Sequence, residues 1–120
     1  MIKRLEGKLY KIKFSSRAEQ DSRDNTIWNE VKGLELRKYE RLDVEYVHGD
    51  DLMKSTGLLI KCDNLSIKMG SDFSIDNKGA IKEPYNNITD ISLWSIIQLS
   101  RLENNDTYWF DKKGNMTKVN

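Results

Sequence analysis

One cysteine, one proline, one histidine and two alanines occur in 120 residues, and these shortages narrow the chemistry open to the chain. Cys62 alone cannot form an intrachain disulfide, and Cys62 with His48 leaves a zinc site two soft ligands short. No apolar run approaches the ~18 residues that a membrane span requires, so no membrane partner is expected. The opening Met1-Ile2-Lys3-Arg4-Leu5-Glu6-Gly7-Lys8 is basic but holds no apolar stretch, which does not read as a secretory leader; a reducing cytoplasm is the expected location. Lys+Arg 20 against Asp+Glu 19 leave a net charge of +1, without the one-signed field of a protein built to coat phosphate. A glycine-rich phosphate loop is missing too. Scarce Ala and Pro beside eleven Ile and ten Asn are the usage of an AT-rich genome, pointing to a low-GC bacterium, its phage or another mobile element.

Three Trp, five Tyr and three Phe, spread along the chain, supply the bulk for one core despite a mean hydropathy of -0.70. The length suits one domain over 1–120, since domains most often run to roughly 100–150 residues. In Leu9-Tyr10-Lys11-Ile12-Lys13-Phe14, apolar and basic residues alternate, so 1–14 is expected to end in a first strand with one wet face. Residues 15–26 hold one Ala and no larger aliphatic or aromatic side chain, which predicts a mobile polar loop. Between 27 and 39, Ile27, Val31 and Leu34 fit a short helix while Leu34 and Leu36 fit a strand, and the two readings stay open.

Leu42, Val44 and Tyr46 alternate with Asp43 and Glu45, and His48-Gly49-Asp50-Asp51 supplies turn chemistry for a hairpin returning through Leu58 and Ile60. Leu65, Ile67 and Met69 predict another strand. Ile75-Asp76-Asn77-Lys78-Gly79 and Phe110-Asp111-Lys112-Lys113-Gly114 share one turn pattern, the second centring a terminal hairpin over 107–119. From 88 to 102 both periods fit, read as a strand to about 93 and then a short helix. The sum is a mainly β (or α+β) domain: a small antiparallel, strongly bent sheet or an SH3/Sm-like barrel, with one or two short helices and a barrel-like core over 42–93.

That core resembles the Sm-like small barrels, including the YolD-like group. The likeness rests on a strand over 42–47, a Gly-Asp turn, a strand bearing Gly57, the Asp63-Asn64 turn, then Leu65-Ser66-Ile67-Lys68-Met69 and a closing Ile88-Thr89-Asp90-Ile91. Asn64 directly follows Asp63, whereas the Sm pattern places it a few residues later, so no RNA-contacting residue carries over.

Candidate chemistry is sparse. His48 sits beside Gly49 in a turn, where an unpartnered imidazole is ordinarily solvated; a dyad with Cys62 across the hairpin is opposed by the shared parity of Cys62, Leu58 and Ile60, which marks a small core residue. Asp43, Glu45, Asp50 and Asp51 are candidates for holding a hard cation in a metal-dependent hydrolase, against the plainer reading of a charged solvent face. Residues 1–41 hold 11 Lys+Arg and 7 Asp+Glu, a net +4, and 42–120 hold 9 and 12, a net -3. Arg4, Lys8, Lys11, Lys13, Arg17 and Arg23 thus form the candidate set for a phosphate backbone, in a nucleic-acid-binding Sm-like module. Trp28, Tyr108, Trp109 and Phe110 are candidate protein-binding residues, because three consecutive rings in a strand cannot share one face. The leading expectation is a non-enzymatic binding or adaptor protein of phage or mobile-element origin, working through a protein partner, such as a host factor that it inhibits, and needing no cofactor.

Overall fold

The computed structural model describes residues 16–71, 73–83 and 87–119. Among the described residues one α-helix, α1 (Arg17–Val31), runs on into a 3-10 turn at Lys32–Leu34. The strands follow: β1 (Arg41–His48), β2 (Asp51–Cys62), β3 (Ser66–Gly70), β4 (Ser74–Ile75), β5 (Ile81–Lys82), β6 (Ile88–Ser92), β7 (Ile96–Arg101), β8 (Asp106–Phe110) and β9 (Met116–Lys118). A second 3-10 turn, Leu93–Ser95, joins β6 to β7. Seven strands pair antiparallel in the order β6-β3-β2-β1-β7-β8-β9, and β4 with β5 forms a separate two-stranded sheet.

The architecture is mainly β, and its large sheet is bent but not closed, with β6 and β9 as its edge strands among the described residues. Two features impose the bend. In β2, Asp51 to Leu58 pair with β1 while Leu58 to Cys62 pair with β3, and the handover falls next to Gly57. A Cβ at Gly57 would collide with the main-chain carbonyl of Gly70, so the two chains approach as closely as they do only because this residue has none. Ser92 is also joined to Ile96 by three residues, a span of at most about 15 Å. In a flat sheet the four strand intervals from β6 to β7 would separate them by ~19 Å.

The inner face is built by alternation. Leu42 and Val44 of β1, Ile67 and Met69 of β3, and Leu99 of β7 are buried on one side, joined by Tyr108 and Phe110 from β8. The residues from 94 to 102, expected as a short helix, are instead one 3-10 turn followed by β7. The aliphatics there are buried on both faces of the strand, Leu99 on the inner and Ile97 on the outer, which erases the simple alternation.

The polar stretch expected as a mobile loop over 15–26 is helical from Arg17. Ser16 caps it, its hydroxyl accepting the Glu19 N–H at 3.1 Å, and Arg23, Ile27 and Val31 form one buried stripe at four-residue spacing. The stripe has an arginine where an aliphatic residue was sought. The Arg23 guanidinium donates from Nε to the Trp94 carbonyl at 2.7 Å, from Nη2 to that of Ile96 at 2.6 Å, and from Nη1 to that of Asp111. Burial lowers its pKa to about 10, and the Asp111 charge acts in the opposite direction; the group stays cationic at neutral pH. Asp24 Oδ1 accepts the Trp94 N–H at 2.8 Å, so adjacent residues of α1 grip both main-chain polar groups of one residue. Residues 27–39 are the end of α1, the first 3-10 turn and an irregular link. The link is held by Arg101, whose Nε and Nη2 donate to the two carboxylate oxygens of buried Glu40 at 2.6 and 2.8 Å. The expected strand over 1–14 lies outside the described residues.

Candidate functional site

The two Asp-x-Lys-Gly turns are the same object built twice. Asp76 Oδ1 accepts the N–H groups of Lys78 and Ala80 at 2.8 and 2.9 Å, and Asp111 Oδ1 accepts those of Lys113 and Asn115 at 3.0 and 2.9 Å. In each, the glycine N–H donates to the aspartate carbonyl at 3.0 Å, and Gly79 and Gly114 take φ of +82° and +93°, which only glycine adopts freely. The residues flanking the turns meet opposite fates. Phe110, opposite Met116, is 0% exposed, with Met116 packed against the same core. Ile75 is 72% exposed, and Ile81, opposite it, 42%.

The β4–β5 hairpin carrying that isoleucine pair is tethered to the sheet. Glu83, just past β5, accepts the Tyr39 hydroxyl at 3.0 Å and the Lys38 ammonium at 3.3 Å, and Phe73, just before β4, meets the Tyr39 ring edge-on at a centroid distance of 5.6 Å. The Tyr39 hydroxyl, followed by Lys38, holds the Glu83 carboxyl below the usual glutamate range, and Glu83 raises Lys38 in turn. Tyr39 has a φ of +67° and donates its own N–H to the Leu59 carbonyl, so the anchoring ring is fixed from the β2 side. Ile88, at the start of edge strand β6, adds a further exposed aliphatic.

Of the expected protein-binding residues, Tyr108 and Phe110 are buried in the main core. Trp109 points to the other side of the sheet, where it and Trp94 pack on Val47 and Ile97. Trp28 leans on the main core from α1 and lines a shallow cleft of about 300 Å³ with Leu65. In the basic set, Arg23 is consumed by three carbonyls and Arg17 faces Asp21 at 3.7 Å, while Arg4, Lys8, Lys11 and Lys13 lie outside the described residues. Of the two described members, Arg17 is exposed and Arg23 buried.

Asp43 and Glu45 share the outer face of β1, but Lys54 stands among them, 3.2 Å from Asp43 Oδ2 and opposite Glu45 in register. Asp50 and Asp51 lie at the hairpin end of the same strands. Among the described residues no three His, Cys, Asp or Glu side chains are arranged to hold a metal ion. His48 and Cys62 sit at opposite ends of the hairpin, separated by the whole 12-residue length of β2, roughly 35 Å. Burial, and then Asp63, push the Cys62 thiol up to about 11, so it is protonated at neutral pH. No described helix is long and apolar enough to cross a membrane.

Arg23 was singled out from the sequence only as a cation for a phosphate backbone, not as a buried tie between helix and sheet, and Glu40 and the Ile75–Ile81 pair were not singled out. The Ser16-x-x-Glu19 spacing was a usable sign of a helix start, and the paired isoleucines around Asp76-Asn77-Lys78-Gly79 were visible as a hairpin but not as an exposed one. Comparison of the chain with protein families, with curated proteins and with solved structures gives no match in any of the three.

Proposed function

We propose that this is a non-enzymatic binding protein that captures a protein partner with the β4–β5 hairpin. The observation supporting it is the Ile75–Ile81 pair: two large aliphatic side chains face each other across strands and stay in contact with water, on a hairpin held in place by Tyr39, Lys38 and Glu83. A tethered hairpin loses little conformational entropy on docking, and an exposed aliphatic pair offers a partner apolar contact. The partner surface is accordingly apolar, with an exposed strand or groove. In the setting of a phage or mobile element, that partner is a host factor and the outcome of capture is its inhibition.

We read the five strands β6-β3-β2-β1-β7 as an opened Sm-like module. Support comes from the order of the strands, the Gly57 bend and the three-residue 3-10 link between β6 and β7. Fold likeness does not carry function with it, and the docking surface stands on the isoleucine pair alone.

The test is affinity purification from the native host with the parent protein and with Ile75→Lys/Ile81→Lys, the eluates read by mass spectrometry and nucleic-acid staining. A specific protein captured by the parent and lost from a variant with unchanged circular dichroism supports the reading. Equal capture by both proteins, or an eluate containing nucleic acid and no specific protein, contradicts it.

A further inference from the structure

A cleft of about 470 Å³ opens where β2 passes from β1 to β3, within the size range of clefts that hold ligands. Arg41 opposes Leu58, Leu58 opposes Gly70 and Gly70 opposes Ile88, so these four make one row across β1, β2, β3 and β6. Leu42, Leu59 and Met69, each next to a member of the row, are buried in the main core, which puts the row on the other face of the sheet. Gly70 leaves the row without a side chain at its third place. The Phe73 ring stands over that gap, 3.4 Å from where a Cβ would sit, and Leu102, whose N–H donates to the Arg41 carbonyl, lines the other end. The cleft is continuous with the β4–β5 hairpin, because Phe73 both lines it and meets the tethering Tyr39 ring edge-on. Charge around it is used unequally. Asp76 is engaged by the Lys78 and Ala80 N–H groups and Glu83 by Tyr39 and Lys38, whereas Arg41, Lys78 and Lys82 are exposed and have no ion-pair partner among the described residues.

We propose that this cleft receives an acidic segment of the protein partner, with one large apolar side chain entering between Leu58, Phe73 and Leu102 and a neighbouring carboxylate meeting the Arg41 guanidinium. The inference rests on the reading of the β4–β5 hairpin as a docking surface and adds the chemistry of what docks there. Apolar walls with one unpaired cation at the rim select an apolar group that carries a negative charge beside it. A guanidinium offers parallel N–H donors that both oxygens of one carboxylate accept, which fixes the orientation of the segment as well as its position. Lys78 and Lys82 continue the same sign of charge along the hairpin, so further acids of the segment find cations beside Ile75 and Ile81. A phosphate backbone would use these cations and leave Leu58 and Leu102 without a contact.

The experiment titrates the full chain, isotopically enriched, with three synthetic peptides: a phenylalanine flanked by glutamates, the same peptide with lysines for the glutamates, and the same with alanine for the phenylalanine. The first peptide alone is expected to shift the Gly57 and Gly70 amides and the Arg41 Nε–H. Arg41→Gln, and Thr56→Trp, which fills the cleft from an exposed position, should each weaken that binding about tenfold or more while the remaining amide signals stay in place. No shift at these groups by about 1 mM peptide, equal shifts with the lysine or alanine peptide, the same shifts with a single-stranded oligonucleotide, or undiminished binding in both folded variants overturns the proposal. Capture from the native host by the parent and by Ile75→Lys/Ile81→Lys is read in parallel. Capture that depends on the isoleucines while the peptide fails to bind removes the cleft and leaves the hairpin reading standing; equal capture by both proteins removes the hairpin reading and the proposal with it.

Discussion

The hairpins β4–β5 and β8–β9 share a turn down to individual hydrogen bonds and differ in everything around it. In β8–β9 the turn is pressed against α1: a Cβ on Gly114 would lie 3.0 Å from Ile27 Cγ1 and 3.3 Å from the Arg23 carbonyl, and the Asp111 carbonyl receives the Arg23 guanidinium. In β4–β5 a Cβ on Gly79 would meet nothing within 4 Å. Aspartate and glycine at the right spacing specify the turn, while the helix that lies over one copy decides whether its flanking apolar residues become core. The copy left uncovered keeps its isoleucines exposed, which is the basis of the proposed docking surface.

The comparison is broken most severely by removing the cover. Arg23→Met should cost about 3–5 kcal/mol in urea unfolding, because buried carbonyls of Trp94, Ile96 and Asp111 lose donors at ~1–3 kcal/mol each. A loss under ~1 kcal/mol would mean that α1 is not what holds the β8–β9 turn. A finer cut uses the twin glycines. Gly79→Ala should cost about 1–2 kcal/mol for the left-handed backbone alone, and Gly114→Ala a further ~1–3 kcal/mol for the crowding by Ile27 and Arg23. Equal losses would remove the distinction between the two environments.

How much of this was legible beforehand follows from the range of each interaction. Alternation marked β1 and β3, and Asp-Gly spacing marked both turns, because those signals are local. The helix start was written in Ser16 and Glu19, but the polar run after them read as a loop because α1 docks through Arg23. The three carbonyls that satisfy that cation come from positions 71, 73 and 88 residues away, and no window of sequence contains them. Exposure of Ile75 and burial of Phe110 are equally non-local, so local alternation could not tell which hairpin keeps its apolar residues exposed.

Acid distinguishes the two hairpins more gently. Glu83, which tethers β4–β5 through Tyr39 and Lys38, and Glu40, clamped by Arg101 next to Tyr39, both have carboxyl pKa values below the ordinary glutamate value. Groups lowered in this way stabilise the folded state above the unfolded pKa of about 4.3, and that contribution is lost as pH falls through the folded value. The tie between Arg23 and the β8–β9 turn is made to carbonyls and does not titrate there. Between pH ~4.5 and ~3, the Asp76 amide should therefore lose hydrogen-exchange protection before the matched Asp111 amide. Glu83→Gln should reduce the gap, whereas simultaneous loss at both turns would contradict the assignment of the tethers.

The smallest expected effect tests the main claim, that one hairpin serves folding and its twin serves contact. The unfolding free energy of Ile75→Lys/Ile81→Lys should lie within ~0.5 kcal/mol of the parent, whereas Phe110→Ala should lose about 3–5 kcal/mol. A loss in the double lysine variant comparable to that of Phe110→Ala would show that the isoleucine pair supports the fold, and the division between the two hairpins would fall.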